Sequence, residues 1–354
     1  MSSLANKVLT SSFRAELGRI VDAHNDKVYS KQKVVVRDCS RKTREDRKNE
    51  IFRAFADLRQ MGFPLQSPLN FKNRHLQELT SFWQAKKLSP RTINTRFSII
   101  TVFCTWIGKP NLPGKIEDYF AHPETIKRTS ICRINKAWEA NGVSIAAEIQ
   151  EAIKLDERFG LLLALQHHFG LRVRESIEMR PLSAISETRI GAHLLVLEGT
   201  KGGRPRVVPI LTAEQQQTLE WALSVTQKSR SMRLRWPGNT WKQAQRRFYH
   251  LMQKMGVTKA DKGVTAHGLR HGYAQISYRK ASGFPSPIEG GAQGKIDPAT
   301  HRWASSYVSQ LLGHIRPDVF PTYGGGYGHS LRVHKITVTN ALFQNPLTTK
   351  MPIY

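Results

Sequence analysis

The apolar residues of the first half of this chain keep a helical rhythm. From Asp46 onward Ile51, Phe55 and Leu58 fall at i, i+4 and i+7, and the pattern stops at Gly62 to Pro64. A second helix carries Leu76, Leu79 and Trp83. A third has the clearest start: Ser89 is placed to cap it, and Pro90 sits at the first helical position, where its missing N–H leaves no bond unmade. Its stripe runs Ile93, Phe97, Ile100, Cys104, Ile107, and its other face offers Arg91, Asn94 and Thr95. That polar face reads equally as the solvated side of a small bundle or as a contact surface. Two prolines and two glycines between Gly108 and Lys115 interrupt the pattern, and a short helical region is expected up to about Ala140.

From Ile145 to Gly170 the chain reads as two apolar helices, with Glu148, Glu151 and Lys154 outside and the LLLAL run buried. After Pro181 the period changes. HLLVLEG and RVVPI are β-rich runs around the turn TKGGRP, a hairpin of a small antiparallel sheet, and helical patterning resumes after Thr212. The expected fold is therefore mainly α with a small antiparallel β-sheet. Residues 1–45 form a polar, basic extension, either an arm or a ligand-contacting helix. A helical domain is expected over 46–122, a linker over 123–145, a second α+β domain over 146–330, and a tail over 331–354.

Charge narrows the function. Lys and Arg number 54 against 27 Asp and Glu, a formal net charge of +27 and a pI near 10.3, which calls for a polyanionic partner. A membrane surface would require a long apolar span or a basic amphipathic helix beside a lipidation site. The longest apolar stretch, Phe159 to Leu165, is far below the roughly 18 residues of a spanning helix. The first residues have neither the basic start nor the apolar core of a signal peptide, so a cytoplasmic protein is expected. Cys39, Cys104 and Cys132 are too scattered for a disulfide framework or a metal pair.

Four segments carry chemistry. In VTAHGLRHGYAQISYRK, residues 264–280, Thr265 can cap a helix with Leu269, Tyr273 and Ile276 buried, while His267, Arg270 and His271 share another face. A histidine and an arginine at a first helical turn, beside free N–H groups, make a phosphate site. Metal ligation by the two histidines, or a structural role, stands beside that reading. In GLRVRESIEMRP, residues 170–181, Arg172 can grip two phosphate oxygens and Glu175, one turn on, can orient it or a nearby histidine; a surface ion pair is the plain alternative. The hairpin EGTKGGRPRVVPI, residues 198–210, presents Lys201 where it can reach into a groove, with Arg204 and Arg206 as further DNA contacts. GGRPR also fits a minor-groove clamp. In LLGHIRPDVFPTYGGGYG, residues 311–328, His314 precedes Tyr323 by nine residues, and Tyr327 is the local competitor.

Taken together, these segments resemble the tyrosine recombinase (phage integrase) family, whose hallmark is Arg, Lys, His-x-x-Arg, His or Trp, then Tyr. GLRVRE is similar to its first-arginine box and implies Arg172, with Glu175 at the acidic support position. Lys201 matches the hairpin lysine, and HGLRH implies His267 and Arg270 with His271 as secondary support. LLGH implies His314 and selects Tyr323 over Tyr327. The resemblance covers residues 145–330 and, more loosely, the SPRTINTRFSIITVFCTWIG helix, similar to the family's N-terminal core-binding domain, whose Arg91, Asn94 and Thr95 would then contact DNA. A departure is the Gly- and Pro-rich stretch over 281–303, longer than in compact members and read as a surface loop.

The resemblance implies a site-specific recombinase or integrase of a mobile element, or a chromosome-resolving enzyme. Tyr323 would form a 3′-phosphotyrosyl link and a partner strand's 5′-hydroxyl would reseal it, with no metal, cofactor or ATP. Double-stranded DNA attachment sites and a homotetramer spanning two duplexes are the implied partners, with the VTNALFQ region as a candidate helix docking on a neighbour. A type IB topoisomerase and a non-catalytic architectural DNA-binding protein are the other readings.

Overall fold

The computed structural model describes residues 3–30, 33–189, 191–291, 296–314, 316 and 319–328. It divides into two compact units, Met1–Thr129 and Ser130–Tyr354. VTNALFQ and the rest of the tail lie outside the described residues.

Unit 1 contains α1 (Ser3–Val8), α2 (Ser11–His24), β1 (Lys27–Ser30), β2 (Lys33–Asp38), α3 (Arg41–Gln60), α4 (Asn73–Ala85) and α5 (Pro90–Trp106). The third stripe folds as its start signal dictates: Ser89 Oγ accepts the Thr92 N–H at 3.2 Å, and Ile93, Phe97, Ile100 and Cys104 are buried. α3 begins at Arg41, five residues before the apolar pattern, because Ser40 caps it and accepts the Thr43 N–H. The described residues among 3–45 are folded rather than an arm. Thr10 caps α2, and Phe13, Leu17 and Val21 enter the core. There Phe13, Phe71 and Phe103 surround Phe55 at ring separations of 5.3–5.8 Å, in the edge-on geometry aromatic pairs prefer. The helical region expected before Ala140 is only 3₁₀ turns, Ile116–Tyr119, Pro123–Ile126 and Glu139–Asn141, since prolines and polar residues leave no stripe to bury.

Unit 2 begins with an irregular strap, then α6 (Ile145–Leu155), α7 (Glu157–Phe169), α8 (Val173–Glu178) and α9 (Pro181–Ala184). A three-stranded antiparallel sheet follows in the order β3 (Ile185–Thr188), β4 (Gly191–Val196), β5 (Arg206–Pro209). Leu194 pairs with Ile185 on one side and Val208 on the other. The short polar β3 had no alternation to announce it. α10 (Ala213–Val225), α11 (Trp241–Lys254), α12 (His267–Ser282), α13 (Pro298–Leu311) and α14 (Pro321–Gly324) complete the unit. α12 is enclosed on nearly every side from Gly268 to Gln275. Thr265 does not cap it with its hydroxyl; Ala266 is the cap, and the Gly268 N–H goes to the Thr265 carbonyl at 2.8 Å. Leu269 and Tyr273 are buried, whereas Ile276 is half-exposed.

Two sequence expectations change here. Residues 130–144, assigned to a linker, contribute Trp138 to the core, fully buried with its indole N–H donating to the Thr265 carbonyl at 2.8 Å. The stretch over 281–303 is more than a surface loop. It contains the end of α12, a 3₁₀ turn Pro287–Glu289 and the start of α13, with Pro287 and Ile296 buried. Among the described residues no helix is long and apolar enough to cross a membrane. Trp138→Ala is expected to destabilise unit 2 by about 3–5 kcal/mol through cavity formation and the lost indole hydrogen bond; urea unfolding of the full chain checks this, and a loss below about 1 kcal/mol would return the strap to linker status.

Candidate active site

Glu175 is the centre of the arrangement. Arg172 caps α8, and its N–H donates to Glu175 Oε2 at 2.7 Å, turning the carboxylate back toward the helix start. Arg206, delivered by β5, grips both carboxylate oxygens at 2.7 and 2.8 Å. The Arg172 guanidinium bonds Oε1, and Arg270 Nη1 lies 3.8 Å from Oε2. Glu175 is 1% exposed. Burial opposes its charge, but the Arg206 hydrogen bonds and the charges of Arg206, Arg270 and Arg172 outweigh that and bring the carboxyl down to about 2.

Arg270 is held from three sides. Its Nη1 donates to the Gly170 carbonyl and its Nη2 to the Leu312 carbonyl, while Nε points at the Tyr323 hydroxyl at 3.4 Å. Burial lowers Arg270 to about 10, so it stays charged at neutral pH. Gly170 makes the first anchor possible. It ends α7 at φ +59°, and a Cβ there would lie 2.4 Å from Tyr273 Cδ1.

Tyr323, in the short helix α14, is 4% exposed with its hydroxyl 3.2 Å from His314 Nε2. The His267 and His271 rings stand 5.8 and 5.0 Å from its ring, and His271 Nδ1 faces the Tyr323 carbonyl at 3.4 Å. All three histidines are disfavoured as cations. Burial first, then Arg270 and Arg172, lowers His314 to about 4; burial and the neighbouring His267 and Lys136 lower His271 to about 3. His267 keeps an open edge to solvent, yet its crowded side together with Arg270 and Arg172 lowers it to about 4.

The structure thus gathers Arg172, Glu175, His267, Arg270, His271, His314 and Tyr323. Lys201 is not in hydrogen-bonding contact with them. It sits exposed in the β4–β5 turn, with its charge felt at His314. Tyr327 stands apart, its hydroxyl donating to the Ile296 carbonyl at 2.8 Å. Arg206 is a correction: expected to touch DNA, it is 6% exposed and turned inward to Glu175. Only Arg204 of that pair is exposed. Nothing in the spacing of 31 residues between Glu175 and Arg206 announces the pair; alternation along β5, which turns Arg206 and Val208 to one face, is the signal that could have found it. In unit 1 Arg91 and Thr95 are exposed on α5, but Asn94 is half-buried and its amide nitrogen donates to the Pro90 and Ile126 carbonyls, leaving no free donor for a base. Among the described residues no His, Cys, Asp or Glu group is arranged to hold a metal, and the three cysteines are free and buried.

The comparisons agree with this geometry. A family model described as integrase matches residues 131–276, and one described as phage integrase, N-terminal, matches residues 27–112. No curated protein matches by sequence. Among solved structures, a lambda integrase dimer bound to a COC′ core site is similar at a TM-score of 0.57 and 16% identity, covering 89% of this chain and 96% of that one. The XerH site-specific recombinase bound to a palindromic difH substrate gives 0.55 and 14%, covering 93% and 95%. The Tn1549 transposon integrase in complex with circular intermediate DNA gives 0.50 and 15%, covering 84% and 94%. At such identities these likenesses speak for the fold, and the two family models, which together take in nearly two thirds of the sequence, speak for descent. The chain belongs to the tyrosine recombinase (phage integrase) family.

Proposed function

We propose that this recombinase cuts DNA with Tyr323, and the observation that carries the reading is the Tyr323 hydroxyl standing between Arg270 Nε at 3.4 Å and His314 Nε2 at 3.2 Å. Arg172 and Arg270 bind the nonbridging oxygens of the scissile phosphate and stabilise the charge that grows on them in the transition state. Tyr323 Oη bonds to phosphorus as the bond to O5′ breaks, its proton passing to His314, which burial keeps neutral and able to accept. Lys201 closes from the hairpin to protonate the departing O5′. The product is a 3′-phosphotyrosyl link and a free 5′-hydroxyl. Attack by a partner strand's 5′-hydroxyl reverses the step, one phosphodiester replacing another, so the exchange needs no ATP.

The substrate is double-stranded DNA carrying attachment sites. Solved relatives include a lambda integrase tetramer bound to a Holliday junction, and we propose the same order of assembly for this chain. Arg91 and Thr95 in unit 1 and Arg204 in unit 2 serve as backbone or base contacts, and the net charge of +27 makes binding steeply salt-dependent.

Duplexes selected from a random library by the full-length protein, each nicked near the cleavage point so that the released 5′-hydroxyl fragment diffuses away, test the chemistry. Wild type is expected to accumulate a protease-sensitive covalent adduct and Tyr323→Phe none; Tyr327→Phe leaves it. Lys201→Ala is expected to slow cleavage at least about 100-fold and to recover on DNA with a sulfur in place of the bridging O5′, since a thiolate leaves without a proton. An adduct that survives Tyr323→Phe overturns the reading, and adduct formation with relaxation but no strand exchange would make the enzyme a topoisomerase.

Neutral histidines also predict an acid sensitivity in the free protein. His271 and His314 have folded pKa values below the ordinary 6.5, so as pH falls from about 6.5 toward 4 the unfolded chain takes up the extra protons and stability declines. Glu175 adds to this only below about 4.5. Urea midpoints measured at pH 7.5, 6.0 and 5.0 should fall in that order; equal midpoints would mean the histidines take up protons in the fold as readily as in the unfolded chain.

A further inference from the structure

The main chain that carries Tyr323 is held from behind by residues outside the catalytic constellation. The Pro321 carbonyl accepts the Cys132 N–H at 2.8 Å. The Tyr323 carbonyl accepts from Gln275 Nε2 at 3.3 Å, beside His271. The other Gln275 donor goes to Asn135 Oδ1 at 2.9 Å, and Asn135 Nδ2 returns a bond to Gln275 Oε1 at 3.3 Å. Asn135 Oδ1 also accepts the Ala137 N–H at 3.0 Å, so the side chain is locked to its own strap.

Donor and acceptor capacity fix this arrangement. A carbonyl only accepts, so the Gln275 nitrogen must face Tyr323, and both of its hydrogens are then used. Gln275 is 3% exposed, so water cannot substitute for a lost partner without rearrangement. The strap is also pressed against α12 with no slack: a Cβ on Gly268 would come within 2.4 Å of the Lys136 carbonyl. Asn135 therefore cannot drift relative to Gln275, which lies two turns further along the same helix. A nucleophile needs such a fixed base, because a misplacement of about 1 Å costs on the order of 10²-fold in rate.

We propose that Gln275 is a positioning residue for Tyr323, and that Asn135, among the first residues of unit 2, holds Gln275 in the rotamer that does so. The strap at residues 131–137 thereby sets where the nucleophile stands. The inference rests on Tyr323 being the nucleophile.

Single-turnover cleavage of the nicked, library-selected duplexes at saturating protein tests it, with wild type and Tyr323→Phe as the arms that judge the nucleophile itself. Gln275→Glu keeps the shape but sets a carboxylate oxygen against the Tyr323 carbonyl. It is expected to slow cleavage about 10- to 100-fold, with DNA affinity within about threefold of wild type and no recovery on the sulfur-bridged duplex, because proton donation is not at fault. Asn135→Leu removes both bonds to Gln275 and should match Gln275→Glu, and the double variant should be no slower than the slower single. A Gln275→Glu rate within threefold of wild type, a loss matched by an equal loss of affinity, or rescue by sulfur overturns the proposal. Should Gln275→Glu fail to fold, a rate for Asn135→Leu within threefold of wild type overturns it instead. No adduct from wild type would sink the nucleophile assignment and is a separate result.

Discussion

A single buried carboxylate sets the electrostatics of the second unit. Removing a charge from water costs several kcal/mol unless its partners replace the lost hydration, and Glu175 obtains them from Arg206, Arg172 and Arg270 together. Three guanidiniums around one carboxylate leave an excess of two positive charges. Arg206, facing inward and gripping both oxygens, accounts for most of the neutralisation, so Arg172 and Arg270 are held in place with their charge left unbalanced. Under the proposed function the scissile phosphate supplies the missing anion, and its site is ordered during folding rather than during the reaction.

The histidines follow from the same surplus. A cationic imidazole beside these arginines would be both desolvated and repelled, so His314 and His271 are neutral in the free protein. In the proposed reaction that neutrality lets His314 accept the proton of Tyr323, so a cluster built from cations would contain its own base. The main chain of Tyr323 is held by the Gln275 side chain of α12, and that of Pro321 by the strap, which leaves the Tyr323 side chain free to respond to the phosphate in the proposed reaction. The stretch over 281–303 contributes on the far side. A Cβ on Gly325, at φ +79°, would meet the Ile288 nitrogen at 2.9 Å, and Tyr327 bonds the Ile296 carbonyl. Those contacts fix the segment just after Tyr323.

What the sequence made legible was whatever is encoded locally. Ser89 and Pro90 define the start of α5 because capping is a matter of adjacent residues, and the hairpin turn declares itself through its glycines. The gathering of Arg172, Glu175, His267, Arg270, His271, His314 and Tyr323 was legible because each sits in a short motif of its own. Features that depend on distant partners were not. Arg206 looked like a surface base because its carboxylate lies on another element, and Asn94 looked free because the Ile126 carbonyl that takes its donor is 32 residues away. Residues 1–45 seemed an extension because their charge hides the spacing of Phe13, Leu17 and Val21. Trp138 alone, amid polar neighbours, could not announce that the strap belongs to a core.

The ionisation of Glu175 is the quantity on which this electrostatic design stands. Carbon-13 NMR of glutamate-labelled protein, with the Glu175 carboxyl identified by its absence in Glu175→Gln, measures it directly between pH 7 and pH 4. Held by three guanidiniums, the Glu175 carboxyl should remain ionised across that whole range, with no inflection. A protonation midpoint at or above 4.5 would mean that burial prevails over the arginines, and the cluster would then be neither anchored nor short of an anion.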